Sequence, residues 1–392
     1  MEVTSPSPEQ AVVKVVLVTT GLESGGAEMI LYQLVTQIDR TRFLPVVVSL
    51  TNDGPILGKR IRDAGIELHC LGYKRGAADP SMVIRLAILL RSLRPDVVQT
   101  WMYHADLVGG LATRMSLQVP LSWSVFSVFM DKKTTSRSTI AVMRCNAWLS
   151  RFVPDAVACC SQATTDFHEE FGYDRSKLRT IALGVDTDAF VPNTEARKSF
   201  RTELGLDPSV PLIGISARFD PQKDHETFFR AAGQFYKVNP NAHYVVFGAG
   251  TDSGNTILNG WAKEAGVGDV THLLGLRDDV ARVTAALDVA TCCSRYGESF
   301  ALVLAEAMSS EVQVVTTDMA GPVSVVDKFG DVIPVGDTNA LTQSWQRSLD
   351  RTPSEISYRV RHGREHIIEN FSIMKVVQKY ESLFTELHAS RK

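Results

Sequence analysis

The chain has 392 residues, of which 44% are hydrophobic and 22% charged, and its formal net charge is -3. This composition excludes a disordered or fibrous chain, and the near-neutral charge of both halves argues against a nucleic-acid-binding protein. The length predicts two domains of about 150 to 200 residues each.

The start of the chain and its apolar stretches indicate where the protein resides. Residues 1–10 are polar, lack the basic start and apolar core of a signal peptide, and are predicted to form a disordered tail. The apolar stretch over residues 82–90 is shorter than the roughly 20 residues of a membrane span. The six cysteines have no zinc-type spacing. We therefore predict a cytoplasmic protein that does not cross a bilayer.

Strand and helix patterns alternate through the first half of the chain. Helices are predicted over residues 27–38 and in PILGKRIRDAG, and strands in VVKVVLVTT, FLPVVVSL, IELHCLG, DVVQTW, LSWSVF and DAVACCS. Strand-helix-strand alternation predicts a parallel sheet with helices on both faces. We expect an N-terminal Rossmann-like domain over residues 11–190.

The same alternation runs a second time after a polar, turn-rich linker over residues 183–210. Strands are predicted in PLIGISARF, HYVVFGAG, VTHLLGL, DVATCCS, VQVVTTD and DVIPVG. This pattern predicts a C-terminal Rossmann-like domain over residues 191–364. The fold class is thus α/β, with two doubly wound domains that face a deep interdomain cleft. Ligands of such sheets bind beyond the carboxyl ends of the strands.

Residues 365–392 are predicted to form a C-terminal helix. Its apolar stripe consists of Ile368, Phe371, Val376, Tyr380 and Phe384. We expect this helix to cross back and pack on the N-terminal domain.

The segment YGESFALVLAEAM places two carboxylates, Glu298 and Glu306, at the end of a predicted strand and in the helix after it. Glu298 is suited to accept hydrogen bonds from sugar hydroxyls, and Glu306 from ribose hydroxyls. The alternative is a helix start with favourably placed acids. The amides predicted to open the helix and to bind a diphosphate belong to Ser299, Phe300, Ala301 and Leu302.

Two cations, Arg218 and Lys223, follow the predicted strand in ISARFDPQKDHETF. A departing nucleoside diphosphate carries more negative charge than the intact donor, so two cations aimed at it stabilise the transition state. The alternative is a pair of solvated surface charges.

Two features of the first half also follow predicted strands. Gly25 and Gly26 let the backbone approach a ligand closely, although a tight strand-to-helix turn explains them equally well. His104 follows DVVQTW, where its imidazole can hydrogen-bond a sugar; the alternative is a structural histidine.

These features, in this order, resemble the retaining glycosyltransferases of family 4, which have the GT-B fold. The resemblance is densest from residue 213 to residue 318, in ARFDPQKDH, VVFGAG, LLGLRDDV, ALDVATCCS, ESFALVLAEAM and VVTTD. It implies a metal-independent enzyme without a cofactor, in which the leaving diphosphate helps to deprotonate the acceptor. No protein nucleophile or general base is implied.

The resemblance also implies that the N-terminal domain binds the acceptor and the C-terminal domain binds the nucleotide-sugar, and it implies a role for each matching residue. Arg218 and Lys223 would bind the donor diphosphate. The donor sugar would contact Glu298 and His104, and the ribose would contact Glu306. The remaining donor-site positions are Gly25 and Gly26 on the phosphate and acceptor side, Gly248, the backbone at Leu276 and Arg277 for the base, and Ser299, Phe300, Ala301 and Leu302.

The chain departs from the family pattern after this block. Glu311 and Gln313 in SSEVQVV occupy positions where the family has glycine and proline, and Ala320 occupies a glycine position. These departures put the local turn and the donor-site geometry beyond residue 318 in doubt.

Two further patterns leave alternatives open. Asp186 and Asp188 form a DxD, which suits a hard cation, but their position in the GVDTDAF turn favours a structural role. Arginines recur every seven residues in SRSTIAVMRCNAWLSRF. They either contact an anionic membrane or are solvated on a helix that packs on its own domain. These arginines are Arg137, Arg144 and Arg151, with Ile140, Met143, Trp148 and Phe152 predicted on another face.

The sequence therefore predicts a retaining hexosyltransferase. It would use a UDP-sugar, or else a GDP-sugar, and a glycan or lipid-linked acceptor in cell-surface polysaccharide synthesis, with no nucleic-acid partner. A peripheral contact with the inner face of the membrane remains open. The alternatives are a nucleotide-sugar 2-epimerase of the same fold and a catalytically silent nucleotide-sugar-binding or scaffold protein.

Overall fold

The computed structural model describes residues 12–23, 25–74, 79–128 and 136–390, so the tail predicted over residues 1–10 lies outside the described residues. The described chain divides into two compact units. The first unit contains residues 12–126, 136–181 and 376–390, and the second contains residues 127–128 and 182–375.

The first unit contains a seven-stranded parallel sheet in the order β3-β2-β1-β4-β5-β6-β7. Its strands are β1 Val13–Thr19, β2 Phe43–Ser49, β3 Glu67–Cys70, β4 Val97–Trp101, β5 Leu121–Val125, β6 Ala156–Cys159 and β7 Leu178–Thr180. Its helices are α1 Gly26–Gln37, α2 Leu57–Asp63, α3 Ser81–Leu93, α4 Tyr103–Ser116, α5 Arg137–Leu149 and α6 Gln162–Phe171.

The first core forms because its central strands are covered on both faces. In β1, Val15, Val16, Leu17 and Val18 are all fully buried, as expected for a parallel strand between two helical layers. Helices α3, α4 and α5 pack side by side in one layer, whereas α1 and α2 pack together.

The second unit contains a six-stranded parallel sheet in the order β10-β9-β8-β11-β12-β13. Its strands are β8 Leu212–Ser216, β9 His243–Phe247, β10 Thr271–Gly275, β11 Val289–Cys292, β12 Gln313–Thr317 and β13 Asp331–Ile333. Its helices are α7 Thr194–Glu203, α8 His225–Tyr236, α9 Thr256–Glu264, α10 Val280–Ala285, α11 Leu302–Ser309, α12 Ala320–Val326, α13 Thr338–Asp350 and α14 Pro353–Phe371. Aromatic side chains of α8 and α13, including Phe228 and Trp345, fill its core.

The predicted fold class is confirmed, because both halves form parallel sheets covered by helices. Two local predictions differ from the structure. The polar linker contains α7, whose amphipathic residues bury Phe200 and Arg201. The short edge strand β7 was not predicted, because only Leu178 of its three residues is buried.

The units also divide at other positions than the predicted domain boundaries. The division falls between Ile181 and Ala182 rather than at residue 190, and residues 365–375 belong to the second unit.

The C-terminal segment forms two helices, α14 and α15 Ile373–Ser390, which are separated at Ser372. The α15 part of the predicted apolar stripe is buried, with Val376, Tyr380 and Phe384 at 0 to 2% exposure, whereas Ile368 is exposed. From residue 376 onward α15 belongs to the first unit, where the Glu381 carboxylate accepts a 2.8 Å hydrogen bond from the Asp39 amide.

The turn between α11 and β12 accommodates the residues that depart from the family pattern. Glu311 adopts φ +56°, a conformation that favours glycine. The Gln313 side-chain amide donates to the Ser348 carbonyl at 2.9 Å, and its oxygen accepts from Arg351 at 2.9 Å. The polar side chain is therefore satisfied inside the second unit.

None of the helices in the described part of the chain has the length and hydropathy needed to cross a bilayer.

Candidate active site

In the second unit, β8 and β11 are neighbours although three helices and two strands separate them in the sequence. The strand order reverses between them, because β9 and β10 extend to one side and β12 and β13 to the other. In open parallel sheets, ligands bind beyond the carboxyl ends of the strands at such a reversal. Arg218 and Lys223 follow β8, and Glu298 follows β11.

Glu298 is held by a side chain from each of these two strand ends. The Lys223 ammonium donates to Glu298 Oε2, and the Ser294 hydroxyl donates to the same oxygen at 2.7 Å. The backbone carbonyl of Ser294 accepts a 2.7 Å hydrogen bond from the Thr317 hydroxyl. The structure thus brings together Lys223 and Glu298, two of the predicted residues, and adds Ser294.

The Glu298 carboxylate is kept ionised by its neighbours. Only 12% of its side chain is exposed, and burial raises the pKa of a carboxyl group. The Lys223 ammonium, the Ser294 hydroxyl and the charge of Arg218 outweigh this effect, so the pKa of Glu298 lies below its ordinary value. A carboxyl group that is ionised at neutral pH is suited to accept hydrogen bonds from sugar hydroxyls.

Arg218 lies beside this pair but is more accessible. Its guanidinium donates to Asp220 at 3.1 Å and to Gln222 at 3.3 Å, and 57% of its side chain is exposed. Both contacts are local, at two and four residues. The guanidinium can therefore bind an incoming anion without breaking a buried interaction.

Two residues absent from the predicted site fix the loop that carries Lys223. The Arg295 guanidinium pairs with the buried Asp224 carboxylate at 2.6 Å, and the Arg295 amide donates to the Gln222 carbonyl at 2.8 Å. Asp224 adopts φ +51° and caps α8. The loops after β8 and β11 are therefore joined on both sides of Lys223.

The loop after Glu298 differs from the prediction. Helix α11 begins at Leu302, so Ser299 and Phe300 lie in the loop and do not open the helix. Ala301 adopts φ +61° directly before the helix, which delays its start. Phe300 is buried, and its ring meets that of Phe371 edge-on at 5.2 Å.

Gly321 sets how closely this loop packs on α12. A Cβ atom at Gly321 would lie 2.4 Å from the Glu298 carbonyl oxygen and 2.5 Å from the Ser299 carbonyl carbon. Both contacts are with backbone, which cannot rotate away. Gly321 therefore permits the observed position of Glu298.

Glu306 lies half-buried in α11. Burial raises its pKa to about 7. Within the described chain its carboxyl group has no hydrogen-bond or ion-pair partner. A half-buried carboxyl group without a partner is suited to bind a ligand with hydroxyl groups.

The remaining predicted positions of the second unit follow β9 and β10. Gly248 has φ +139°, and a Cβ atom there would lie 2.4 Å from the Ala217 carbonyl oxygen. Leu276 is 70% exposed. The Arg277 guanidinium is engaged by Asp279 at 2.7 and 2.8 Å, which leaves the backbone as the part of this residue that can bind a base.

The predicted positions of the first unit also lie where its strand order reverses, between β1 and β4. Gly25 caps α1 and Gly26 begins it, and both are exposed. The Trp101 indole donates to the Ala27 carbonyl at 2.9 Å. This bond joins the start of α1 to the end of β4.

His104 is half-buried in the first turn of α4. The preceding Met102 has φ +77° and ψ +154°, a region that side chains disfavour by about 1 to 3 kcal/mol and that is concentrated at functional sites. The backbone therefore turns sharply just before His104.

Buried polar side chains in β4 and α4 stabilise this turn through hydrogen bonds. The Thr100 hydroxyl donates to the fully buried Asp106 at 2.5 Å. Burial raises the pKa of Asp106 well above its ordinary value, and the Thr100 hydrogen bond only partly offsets this effect. On the same helix, the Tyr103 hydroxyl lies 2.9 Å from His168 Nε2, and burial lowers the pKa of His168 to about 4. His168 is therefore neutral near pH 7, and Asp106 holds its proton more tightly than an ordinary carboxyl group does.

The DxD residues form a turn. Asp186 Oδ1 accepts from the amides of Asp188 at 3.1 Å and Ala189 at 3.0 Å. Among residues 12–23, 25–74, 79–128 and 136–390, no group of three or more histidine, cysteine or acidic side chains is arranged to hold a metal ion.

Two families account for most of the chain. Residues 24–189 match the family described as Glycosyltransferase Family 4, and residues 196–356 match the family described as Glycosyl transferases group 1. The two matches correspond to the two sheets. The chain belongs to the family 4 glycosyltransferases, which have the GT-B fold.

Similar proteins include D-inositol 3-phosphate glycosyltransferases. That of Mycobacterium sp. (strain JLS) is 33% identical over 188 residues, which cover 45% of this chain and 39% of the relative. That of Rhodococcus erythropolis (strain PR4 / NBRC 100887) is 28% identical over 228 residues, which cover 53% and 49%. The matched part of the chain spans less than half the length of these relatives.

Solved structures agree over the whole fold. HepE of Anabaena in complex with UDP and glucose has a TM-score of 0.82 at 18% identity and covers 95% of this chain and 99% of its own. Sucrose-phosphate synthase from Thermosynechococcus elongatus has a TM-score of 0.79 at 18% identity and covers 96% and 100%. At this identity the likeness establishes the fold.

Proposed function

We propose that this glycosyltransferase is a retaining, metal-independent hexosyl- or N-acetylhexosaminyltransferase that uses a nucleotide-sugar donor, with UDP-sugar favoured over GDP-sugar. Its acceptor is a glycan or a lipid-linked saccharide of cell-surface polysaccharide synthesis. The observation that carries the proposal is the cluster of Lys223, Glu298 and Ser294 at the strand reversal of the second unit, with Arg218 beside it.

The cluster suits a donor whose leaving group is an anion. In the proposed reaction the bond between the sugar C1 and a diphosphate oxygen breaks, and the acceptor oxygen bonds to C1 on the same face. The acceptor proton passes to the leaving diphosphate. Lys223 and Arg218 stabilise the charge that develops on that diphosphate, and Glu298 orients the sugar hydroxyls.

The second role in the proposal concerns the nucleoside. Glu306 accepts hydrogen bonds from the ribose hydroxyls, for which its unpartnered carboxyl group is available. The binding of UDP by HepE supports the choice of UDP as the first nucleotide to test.

Nucleotide binding tests the donor part of the proposal. Melting temperature is measured with UDP, GDP, ADP, CMP and dTDP in the presence of EDTA, since a ligand that binds only the folded state stabilises it. We expect one nucleoside diphosphate to raise the melting temperature. Arg218→Ala with Lys223→Ala should remove the shift, whereas Lys263→Ala with Arg361→Ala, two exposed cations of the same unit, should retain it.

Product analysis tests the reaction. The identified donor is supplied with lipid-linked and glycan acceptors and with inositol 3-phosphate, and the anomeric configuration of the product is read by NMR. An inverted product contradicts retention, and loss of turnover in EDTA contradicts metal independence. A C2 epimer formed without acceptor indicates the epimerase, and tight donor binding without turnover indicates the silent binder.

A further inference from the structure

The outward face of α5 in the first unit exposes two large aromatic side chains. Trp148 is 60% exposed and Phe152, just beyond the helix end, is 67% exposed. Their ring centroids lie 5.6 Å apart. A surface without a binding partner seldom exposes a pair of aromatic rings to water, because burial of their apolar area is favourable.

Basic side chains share this face with the aromatic rings. Arg137, Arg144 and Trp148 follow one another at helical spacings of seven and four residues, and all are exposed. The opposite side of α5 packs inward through Ile140 and Met143. The structure therefore corrects the predicted separation of a basic and an apolar face: Trp148 and Phe152 lie with the arginines.

The charged side chains of residues 136–152 are all positive, and one acidic side chain of the first unit, Asp174, lies within electrostatic range of Arg151. Residues 136–152 contain three arginines and no acidic residue. Within the described chain, Arg137, Arg144 and Arg151 form no ion pair, and the nearby Asp155 is engaged by Arg114 at 2.8 Å. The arginines are therefore available to an external anion.

We propose that the α5 face, defined as Arg137, Arg144, Trp148, Arg151 and Phe152, docks on an anionic lipid bilayer. The rings of Trp148 and Phe152 would lie at the level of the headgroups, where aromatic side chains are favoured. The arginines would contact lipid phosphates. The segment over residues 136–152 carries three arginines and no acidic residue, and a cluster of one sign of charge suits a uniformly anionic lipid surface.

This inference goes beyond the transfer chemistry. It rests on the proposed function only in its purpose, because docking places the enzyme beside a lipid-linked acceptor.

Vesicle binding of the full chain tests the proposal. Co-sedimentation is measured with vesicles of phosphatidylcholine alone and of phosphatidylcholine with phosphatidylglycerol, at low and high salt. We expect binding to the anionic vesicles that salt weakens. Arg144→Glu with Arg151→Glu should lower the partition coefficient about tenfold or more.

A second pair of variants tests the aromatic contribution. Trp148→Ser with Phe152→Ser should lower binding and remove any blue shift of tryptophan fluorescence on anionic vesicles. Arg40→Glu with Arg60→Glu reverses two exposed charges elsewhere in the first unit, and Arg60 lies on α2 in the opposite helical layer. This control should bind as the unchanged protein does.

Three results would overturn the proposal. The first is equal binding to neutral and anionic vesicles, and the second is an equal loss of vesicle binding in the control pair. The third is a change of oligomeric state in the aromatic variant without lipid, which would make the α5 face a contact between copies of the chain. The nucleotide-induced shift of melting temperature should be the same in all these variants. Failure of docking therefore leaves the donor-site proposal unaffected.

Discussion

The two units place carboxyl groups at the same position of the same kind of sheet but shift their pKa values in opposite directions. Beyond β8 and β11, Glu298 is ionised because Lys223 and Ser294 bind it. Beyond β1 and β4, Asp106 is fully buried, and its pKa is raised by burial. Topology thus fixes where the groups lie, whereas burial and the nearest partners decide whether the pKa of a carboxyl group rises or falls.

Glu298→Gln tests the charged side of this comparison. The amide keeps the shape but loses the ion pair with Lys223 and the strong acceptor for sugar hydroxyls. We expect turnover to fall about 100-fold, with nucleotide affinity changed less than about threefold. Steady-state kinetics and nucleotide titration measure the two quantities.

Glu365→Gln, an exposed carboxylate of the same unit, serves as the matched control and should keep full turnover. Undiminished turnover of Glu298→Gln would remove this residue from the site.

Asp106→Asn tests the raised pKa of the buried carboxyl group. A raised carboxyl pKa means that the folded state binds the proton more tightly than the unfolded state, so stability falls as pH rises from the unfolded pKa to the folded pKa. The asparagine variant lacks this loss. Its stability relative to the unchanged protein should therefore increase as pH rises above the ordinary carboxyl pKa, measured by urea unfolding at about pH 5 and about pH 8.

Two companions calibrate this result. Asp106→Ala removes the partner of the Thr100 hydroxyl and should cost about 2 kcal/mol. Asp63→Asn changes an exposed carboxylate of the same unit and should alter stability by less than about 0.5 kcal/mol at either pH. A constant difference between Asp106→Asn and the unchanged protein at both pH values would show that folding does not raise the pKa of Asp106.

Local patterns predicted the strands and the strand ends that carry Lys223 and Glu298, because β-branched runs and the loops after them are short-range features. Ser294 was missed, since a serine in a loop gains significance only when β8 and β11 become neighbours. The orientation of Trp148 was predicted incorrectly, because the helix pattern allowed more than one inward face. The start of α11 also differs, because the left-handed conformation of Ala301 has no signal in its residue type.

Glu306 allows a test, with a smaller expected effect, of how burial changes a carboxyl pKa in the second unit. Its pKa of about 7 means that the carboxyl group loses its proton as pH rises through 7, and the carboxylate is the better acceptor for ribose hydroxyls. We expect affinity for the donor sugar nucleotide to rise about tenfold between about pH 6 and about pH 8. Isothermal titration measures this rise.

The variant Glu306→Gln should bind with an affinity that changes little over this range, while Glu365→Gln should retain the rise. If affinity falls with pH in the unchanged protein, Glu306 binds its ligand as the neutral acid.

Ala301→Gly gives the smallest expected effect, on stability. Ala301 has φ +61° and ψ +67° before α11, and this left-handed conformation costs an alanine about 1 to 2 kcal/mol. Glycine adopts it freely but loses more backbone entropy on folding. We expect a net gain of up to about 1 kcal/mol in the free energy of unfolding, measured in urea. Ala305→Gly, within α11, should instead lose about 1 kcal/mol or more. Opposite signs from one substitution at positions four residues apart would identify backbone strain at the loop that presents Glu298, whereas equal losses would show that the loop is relaxed.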